Sequence, residues 1–339
     1  MSSSIPTIGN ASAMKKFLRI LAYLMLGIIV LLAAAAALFA YFLYVPEPEA
    51  AQLSGALTKN TMEVGGLKRN YLTYIPKGLP RGAPLVLIMH GSGEGAEQIR
   101  SGTGYGFERL ADQHGFAVAY PDSKTFDWND CSTIGEFSVK GVPVDDALFL
   151  VALADKLIAD IGIDPSRVFA AGVSAGGSMA MRLALEAPTR FRAIAAVAAN
   201  VPRSENFNCK PTGQGSSVMI MNGTEDPLVP FEGGEVNLLG LFYKAGNVHS
   251  SRESGNYFAK INGIAAAPDT RTVQLAHGIS VEHTVRGSKS RAEVELVAIH
   301  GGGHSIPQPH ARRPRLLGPS PMEPNGPEMV WSFFARQAR

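Results

Sequence analysis

Cysteine is almost absent from this chain: its 339 residues contain only two, Cys131 and Cys209. Two cysteines and scattered histidines offer no ligand spacing that is typical of a metal site, so no metal is expected. Charged residues are also sparse, at 18% of the chain against 46% hydrophobic residues. This composition excludes wholesale disorder and predicts a protein with a sizeable buried core.

A basic excess is missing from most of the chain. The net charge is +2, but Lys15, Lys16 and Arg19 all precede the first acidic residue, Glu47. Of the 31 Lys and Arg residues, 28 follow that point, against 29 acidic residues, so nucleic acid is not an expected partner. A glycine-rich phosphate loop that opens a helix is missing as well, and no cofactor is expected.

Charge is entirely absent from residues 20–45, a run of 26 mostly apolar residues. About 20 apolar helical residues cross a bilayer core, so this run predicts a transmembrane signal-anchor. Basic residues that flank a membrane-spanning helix favour the cytoplasmic side. Residues 1–19 are therefore expected in the cytoplasm, and the chain after Pro46 on the periplasmic or extracellular side. A cleaved signal peptide and a secreted protein are the alternative, since Ala33–Ala37 offers small residues for cleavage.

After a predicted stalk at residues 46–66, strand-like and helix-like stretches alternate. Short apolar runs predict strands at 71–75, 84–89, 116–120, 167–173, 194–199, 218–221 and 294–299. Helical spacing or composition predicts helices at 107–114, 144–160, 176–186, 253–261 and 327–336. This alternation predicts an α/β fold over residues 67–339, a mostly parallel sheet with helices on both faces. Residues 232–250 and 307–327 receive no assignment.

Gly172-Val-Ser174-Ala-Gly176 matches the nucleophile-elbow pattern G-x-S-x-G, between a predicted strand and a predicted helix. The serine of such a turn is strained and exposed, and the glycines avoid collisions with neighbouring backbone. A serine hydroxyl needs a base, and the base needs an orienting carboxylate. Ser174 is therefore the predicted nucleophile.

The acid and the base should follow Ser174 in the order acid, then histidine. Asp226 lies just past the strand at 218–221, and the alternative acid, Glu225, is expected to face solvent. His304 follows Gly301-Gly-Gly303 directly after the last predicted strand, where a flexible loop brings an imidazole toward the serine. The other histidines after Asp226 are interpreted as surface or structural residues: His249, His277, His283, His300 and His310.

Two backbone amides are expected to stabilise the oxyanion of the reaction. One is the N–H of Ala175, at the start of the helix after the nucleophile, and the other comes from Ser92 or Gly93 in the turn after residues 84–89. His90 in that turn is interpreted as structural, because it precedes the nucleophile. The pair Asp145-Asp146 is interpreted as a helix cap.

Cys131 and Cys209 lie 78 residues apart in the exported part of the chain. In an oxidising compartment we expect a disulfide, which would contribute about 4 kcal/mol in the chain-entropy model. Two unpaired buried thiols are the alternative.

The chain resembles the polyhydroxybutyrate depolymerase and feruloyl esterase-like branch of the α/β hydrolases, from about Leu67 onward. The matching segments are Arg69–Pro76, Pro84–Gly91, Trp128-Asn129 with Cys131, Val144–Asp146, Ile163–Val168, Gly172–Gly177, Cys209–Pro211, Asn222–Pro230, Gly301–His304 and Trp331–Phe334. The resemblance implies an α/β-hydrolase fold, Ser174, Asp226 and His304 as the catalytic triad, and a disulfide between Cys131 and Cys209.

Three departures from the family narrow this expectation. Ser305-Ile306-Pro307 stands where relatives often have Thr-Trp-Pro, and Tyr257 or Phe258 replaces a usual tryptophan. A polymer-binding module after the catalytic domain is not expected. The sequence therefore predicts a serine carboxylic ester hydrolase for soluble esters or hydroxyalkanoate oligomers. An acyltransferase or a peptidase with the same triad, or a membrane-tethered binding protein without activity, are the alternatives.

Overall fold

The computed structural model describes residues 11–134, 138–139, 142–238, 240, 244–287 and 292–337. Its contacts divide the chain into residues 1–45 with 314–316, and residues 46–313 with 317–339. The first unit contains helix α1 (Ala11–Leu43), which is long and apolar enough to cross a membrane and buries none of its apolar stretch. It includes the predicted basic flank and ends two residues before the end of the predicted span, 20–45. A signal sequence would have the same character.

The second unit is built on a ten-stranded sheet. Its strands, in chain order, are β1 (Ala56–Val64), β2 (Leu67–Ile75), β3 (Leu85–Met89), β4 (Ala117–Pro121), β7 (Val168–Val173), β8 (Ala193–Val197), β9 (Ser217–Gly223), β12 (Asp269–Gln274), β13 (Ser280–Arg286) and β14 (Val294–His300). Two short antiparallel pairs lie outside it: β5 (Ser138–Val139) with β6 (Val142–Pro143), and β10 (Gly234–Glu235) with β11 (Asn247–Val248).

The order of strands across the sheet is β1-β2-β4-β3-β7-β8-β9-β14-β13-β12. The six central strands, from β4 to β14, are parallel to one another, and the two strands at each edge pair antiparallel. The predicted mostly parallel sheet is therefore confirmed. Carboxyl ends of parallel strands meet at one edge, and this edge receives the residues discussed below.

Six helices cover the two faces of the sheet. They are α2 (Ala96–Gly102), α3 (Gly106–His114), α4 (Asp146–Ile161), α5 (Ala175–Glu186), α6 (Ser251–Ile261) and α7 (Gly326–Gln337). Alternate residues of β3 show why two layers form: Leu85, Leu87 and Met89 pack with α4, α5 and α6 residues, whereas Val86 and Ile88 pack with α2, α3 and α7 residues. A strand that is apolar on both faces needs cover on both.

The edges of the sheet differ from the prediction. Residues 56–64 of the predicted stalk form β1, which pairs with β2 along nine positions, so the stalk is at most residues 46–55. The hairpin of β12 and β13 was not predicted, since every residue of β12 is exposed and no apolar alternation marks it. Of the unassigned stretches, 232–250 contains β10 and β11, and 307–327 contains a short helical turn at Arg315–Leu317.

Candidate active site

Ser174 occupies a strained turn between β7 and α5. Its backbone has φ 57° and ψ −124°, a conformation that costs a non-glycine residue about 1–3 kcal/mol. The turn is tight because a Cβ on Gly172 would overlap Gly176, and a Cβ on Gly176 would overlap the backbone of Met89 and His90. Both glycines of the predicted elbow are therefore required by close approach of the backbone, and the serine is left half-exposed at the end of the strand.

The turn after β3 packs against Ser174. A Cβ on Gly91 would lie 3.4 Å from the Cβ of Ser174. Ala175 begins α5, so its N–H belongs to the first helical turn, whose amides have no acceptor within the helix. The N–H of Gly93 donates to the carbonyl of Phe126 at 2.8 Å, so the predicted role of Gly93 would require this hydrogen bond to be shared or broken. Ser92 stays a prediction from the same turn.

His90 in this turn holds the loop after β4. Its Nε2 accepts a hydrogen bond from the N–H of Ser123 at 3.0 Å, so Nδ1 carries the proton and donates to the carbonyl of Gly91 at 2.7 Å. Burial lowers the pKa of His90, which keeps the ring neutral. Its carbonyl accepts from the indole of Trp128 at 2.8 Å. These contacts agree with the structural role expected for His90.

Asp226 and His304 are brought together by the ends of β9 and β14. Nδ1 of His304 donates to Oδ2 of Asp226 at 2.7 Å, and both side chains are almost completely buried. Oδ1 of Asp226 accepts from the amides of Leu228 and Val229, each at 2.8 Å. Both carboxylate oxygens are therefore occupied and their orientation is set. Glu225 is exposed, as the sequence predicts.

Residues 301–304 reach Asp226 by crossing over the end of β9. A Cβ on Gly223 would overlap the carbonyl of Gly302, so the backbones of the two loops are in direct contact at this point. The amide of Glu225 donates to Gly302, and that of His304 donates to Leu317, both at 2.8 Å. The predicted glycine-rich loop therefore carries His304 away from its own strand and toward β8 and β7. We call residues 223–231 and 300–304 the acid–histidine loops.

A cavity of about 310 Å³ opens beside Ser174 and Ala175. Much of its lining is apolar, including Trp128, Ile134 and Val248. Ligand sites in proteins are largely apolar with a few placed polar groups, and this cavity has that character. Its polar side chains include Asp127, Asp130, Ser178, Asn200 and Lys244.

One wall of the cavity comes from residues 122–134, which we call the disulfide wall. Cys131 and Cys209 form the predicted disulfide, with their Cα atoms 4.8 Å apart. Arg182 on α5 donates to the carbonyl of Asn129 at 2.5 Å and also bonds its side chain. Trp128, within this wall, is completely buried. The wall is therefore fixed at several points around Asp130.

A buried ion pair supports the same wall. Arg69 on β2 and Asp146 on α4 are both inaccessible and lie 2.5 Å apart, and the other oxygen of Asp146 accepts from the amide of Asn129 at 2.7 Å. Asp145 caps α4 as predicted, by accepting from Leu148 at 3.1 Å. The expectation that Asp146 also acts as a cap is corrected, because its side chain points inward to Arg69.

A buried polar network joins the end of β8 to the acid–histidine loops. The side-chain oxygen of Asn222 accepts a hydrogen bond from the N–H of Ala199. Its side-chain nitrogen donates to the carbonyl of Ala199 and to the side chains of Asn200 and Ser251. The side chain of Asn200 in turn donates to the carbonyl of Pro230 at 3.2 Å. Sequence reasoning missed Asn222 and Asn200. Their one signal was the position of Asn222 directly after the predicted strand 218–221.

The histidine assignments need one change. His283 is mostly buried, and its Nδ1 lies 2.8 Å from Oε1 of Glu295, so it is not a surface residue. His277 is exposed, as expected. Within the described ranges, His, Cys, Asp and Glu side chains form no group of three or more that could hold a metal ion.

Comparisons with known proteins place this site in context. The family model described as "Esterase PHB depolymerase" matches residues 69–211. The chain is 31% identical over 261 residues to "Putative esterase NocK" of Nocardia uniformis subsp. tsuyamanensis, covering 74% of each chain. It is 26% identical to "Probable feruloyl esterase C" of Aspergillus terreus, over 82% of this chain and 87% of that protein.

Two further matches are more limited, one in the length that it covers and the other in its sequence identity. "Poly(3-hydroxyalkanoate) depolymerase C" of Paucimonas lemoignei is 32% identical, but over only 37% of this chain and 30% of its own length. Among solved structures, an acetyl xylan esterase from Aspergillus awamori superposes with a TM-score of 0.54 at 19% identity, covering 74% of this chain and 95% of that one. That superposition speaks for the fold alone.

Proposed function

Because this chain belongs to the PHB depolymerase esterase family, and so is an ester hydrolase, we propose that it is a serine esterase whose nucleophile is Ser174. Its substrates in this proposal are soluble carboxylic esters or hydroxyalkanoate oligomers. The observation that carries the proposal is the 2.7 Å hydrogen bond between His304 and Asp226, both buried, in loops that lead toward the strained turn of Ser174.

The proposed reaction follows from the tautomer of His304. The Nδ1–H group of His304 donates a hydrogen bond to Asp226, so the neutral ring keeps a lone pair on Nε2. This lone pair takes the proton of Ser174 as Oγ attacks the ester carbonyl. The tetrahedral intermediate collapses, the C–O bond to the alcohol breaks, and His304 returns the proton to the alcohol. Water then attacks the acyl-serine with His304 again as base, releasing the acid and restoring Ser174.

Two amides stabilise the oxyanion in this proposal, those of Ala175 and Ser92. The first is supported by its place at the start of α5 and at the cavity, and the second by the packing of its turn against Ser174. Removing one such donor costs about 10²–10³ in kcat in a well-studied protease.

The experiment is hydrolysis of p-nitrophenyl esters by the wild type, Ser174→Ala and His304→Ala. Each variant should lose several orders of magnitude in kcat/KM while its circular dichroism stays unchanged, and Ser174→Ala should no longer react with a fluorophosphonate probe. His277→Ala, at an exposed position, is the matched control and should keep wild-type activity. Near-wild-type turnover by Ser174→Ala would exclude the proposal. Acyl transfer to added alcohols or amines in preference to water would favour an acyltransferase.

We also propose that α1 anchors the protein in the cytoplasmic membrane, with residues 46–339 on the periplasmic or extracellular side. The length and exposure of α1 and the basic residues at its start support this arrangement. Fractionation should find the intact chain in membranes, and a reporter fused after Pro46 should be active outside the cytoplasm. A soluble mature chain that starts near Ala40 would instead identify a cleaved signal.

A further inference from the structure

Asp130 places a carboxyl group in the wall of the cavity that contains Ser174. Its side chain accepts hydrogen bonds from the amide of Ser132, at 2.7 Å, and from Ser178. A carboxylate has room for about four hydrogen bonds, so these two contacts leave acceptor capacity. The residue is half-buried, and this capacity faces a cavity whose surroundings are largely apolar.

The position of Asp130 is fixed from both sides along the chain. Asn129 before it is bonded to Arg182 and Asp146, and Cys131 after it forms the disulfide. A group that is held this firmly by its neighbours can select one substrate geometry, because little of its freedom is lost on binding.

The acid is kept in this place despite an electrostatic cost. The pKa of Asp130 is raised to about 7, chiefly by burial. The hydrogen bond from Ser132 opposes this rise, as do Arg182 and Ser178, whereas the nearby carboxylate of Asp127 adds to it. Shifted acids in clefts are candidates for functional groups. Among the described residues, the other charged side chains that line the cavity are those of Asp127 and Lys244, and Lys244 lies 3.7 Å from Glu235.

We propose that Asp130 is a specificity-determining residue that accepts a hydrogen bond from a donor group, a hydroxyl or an ammonium, on the ester bound in this cavity. This inference rests on the proposed role of Ser174, since the same cavity must hold the reacting ester. It names a substrate class: esters that carry a hydrogen-bond donor away from the scissile bond.

The proposal has a consequence for pH. Near pH 8 Asp130 is largely ionised and attracts an ammonium group, and near pH 6 it is largely protonated and the charge is lost. The preference for an ammonium ester over an apolar ester should therefore fall as the pH falls. Because both esters meet the same free enzyme, the ionisation of His304 cancels in the ratio of their kcat/KM values.

The test uses methyl esters of short straight-chain acids that end in a methyl, hydroxyl, ammonium or carboxylate group, followed by pH-stat titration. For the wild type, the ratio of kcat/KM for ammonium to methyl should fall about tenfold between about pH 8 and about pH 6. In Asp130→Leu the hydroxyl-to-methyl and ammonium-to-methyl ratios should both fall about tenfold, since the acceptor is gone.

Two further variants separate recognition from a structural role. Asp130→Asn keeps an acceptor oxygen and removes the charge, so the ammonium ratio should fall much more than the hydroxyl ratio. Asp127→Asn should move the pH at which the ammonium ratio changes to a lower value, because it removes a neighbouring negative charge. Asp155→Asn, an exposed residue on α4, is the control and should leave all ratios and their pH dependence unchanged.

The wild-type ester preference at pH 8 needs no variant to fold. A preference for the carboxylate ester over the ammonium ester would overturn the inference, as would unchanged hydroxyl and ammonium ratios in a folded Asp130→Leu. If Ser174→Ala still hydrolyses the methyl-ended ester, the proposed function fails instead. Loss of that activity in Ser174→Ala together with unchanged ratios in Asp130→Leu rejects only the role of Asp130.

Discussion

The two sides of the cavity are held by different kinds of contact. The acid–histidine loops are short, touch through backbone, and depend on hydrogen bonds between groups close to the ends of two paired strands. The disulfide wall is a longer segment fixed by side chains from elsewhere in the chain: Cys209, Arg69, Asp146 and Arg182. In the proposed function, the first side would set the position of the reacting groups, and the second would set the shape of the space that the ester fills.

The largest expected effect is on the acid–histidine loops. Asp226→Asn should lower kcat/KM by about 10⁴, because the amide no longer holds His304 in the tautomer that leaves Nε2 free to act as base. Glu225→Gln is the matched control on the next residue, is exposed, and should remain within about twofold of wild type. Ester hydrolysis and thermal melting check both variants. Equal losses in the two variants would contradict the assignment of the acid.

The next effect concerns stability and the disulfide wall. Arg69→Met should lower the free energy of unfolding by about 3–5 kcal/mol, because it leaves the buried carboxylate of Asp146 without its partner. Urea unfolding measures this change. The double variant Arg69→Met/Asp146→Leu should recover most of the loss, since no buried charge remains. A single variant as stable as wild type would show that Asp146 does not depend on the arginine.

Cutting the disulfide should change binding more than chemistry. Cys209→Ser should lower the free energy of unfolding by up to about 4 kcal/mol and raise KM more than it lowers kcat, because the wall loses its covalent link. Cys131→Ser should behave alike, and the double variant should be no worse than either. A fall in kcat with KM unchanged would mean that the two sides of the cavity are not separable in this way.

The smallest effect is a single hydrogen bond within the disulfide wall. Trp128→Phe keeps an aromatic ring but removes the indole N–H that donates to the carbonyl of His90. We expect a loss of about 1–2 kcal/mol in unfolding free energy and a modest rise in KM. Chemical denaturation with parallel kinetics checks both values. An unchanged unfolding free energy would imply that water replaces the indole at that carbonyl.

Sequence reasoning worked best where the deciding information is local. The central strands were predicted because each is a short apolar run. Asp226 and His304 were predicted from chain order and a neighbouring strand end, and the structure brings their side chains within hydrogen-bond distance. The edge strands β1 and β12 were missed because their exposed residues carry no apolar pattern.

The disulfide wall shows where such reasoning ends. The amide of Gly93 is bonded to Phe126, and Asp146 faces Arg69, and neither partner is near in the sequence. The sequence offered no reason to select Asp130, because the cavity that it lines forms only when the ends of β7 and β8 meet the disulfide wall. The disulfide was expected because both cysteines lie in the exported part of the chain and because the family resemblance implies the bridge.

Asp226 and His304 are positioned by the direct pairing of β9 with β14, and not by the chain that connects them. These two parallel strands align from Val218 with Val294 to Gly223 with Ile299, so their own ladder sets the register of both loops. Asp226 and His304 are 78 positions apart, and the chain between them needs only to run from the end of β9 to the start of β14. The tip between β12 and β13 lies within this connecting segment. Residues 276–278 are the exposed part of that tip, whereas Leu275 and Ile279 pack against the core. A guest domain, tag or fluorescent reporter inserted at residues 276–278 should therefore be tolerated without disturbing the acid–histidine loops.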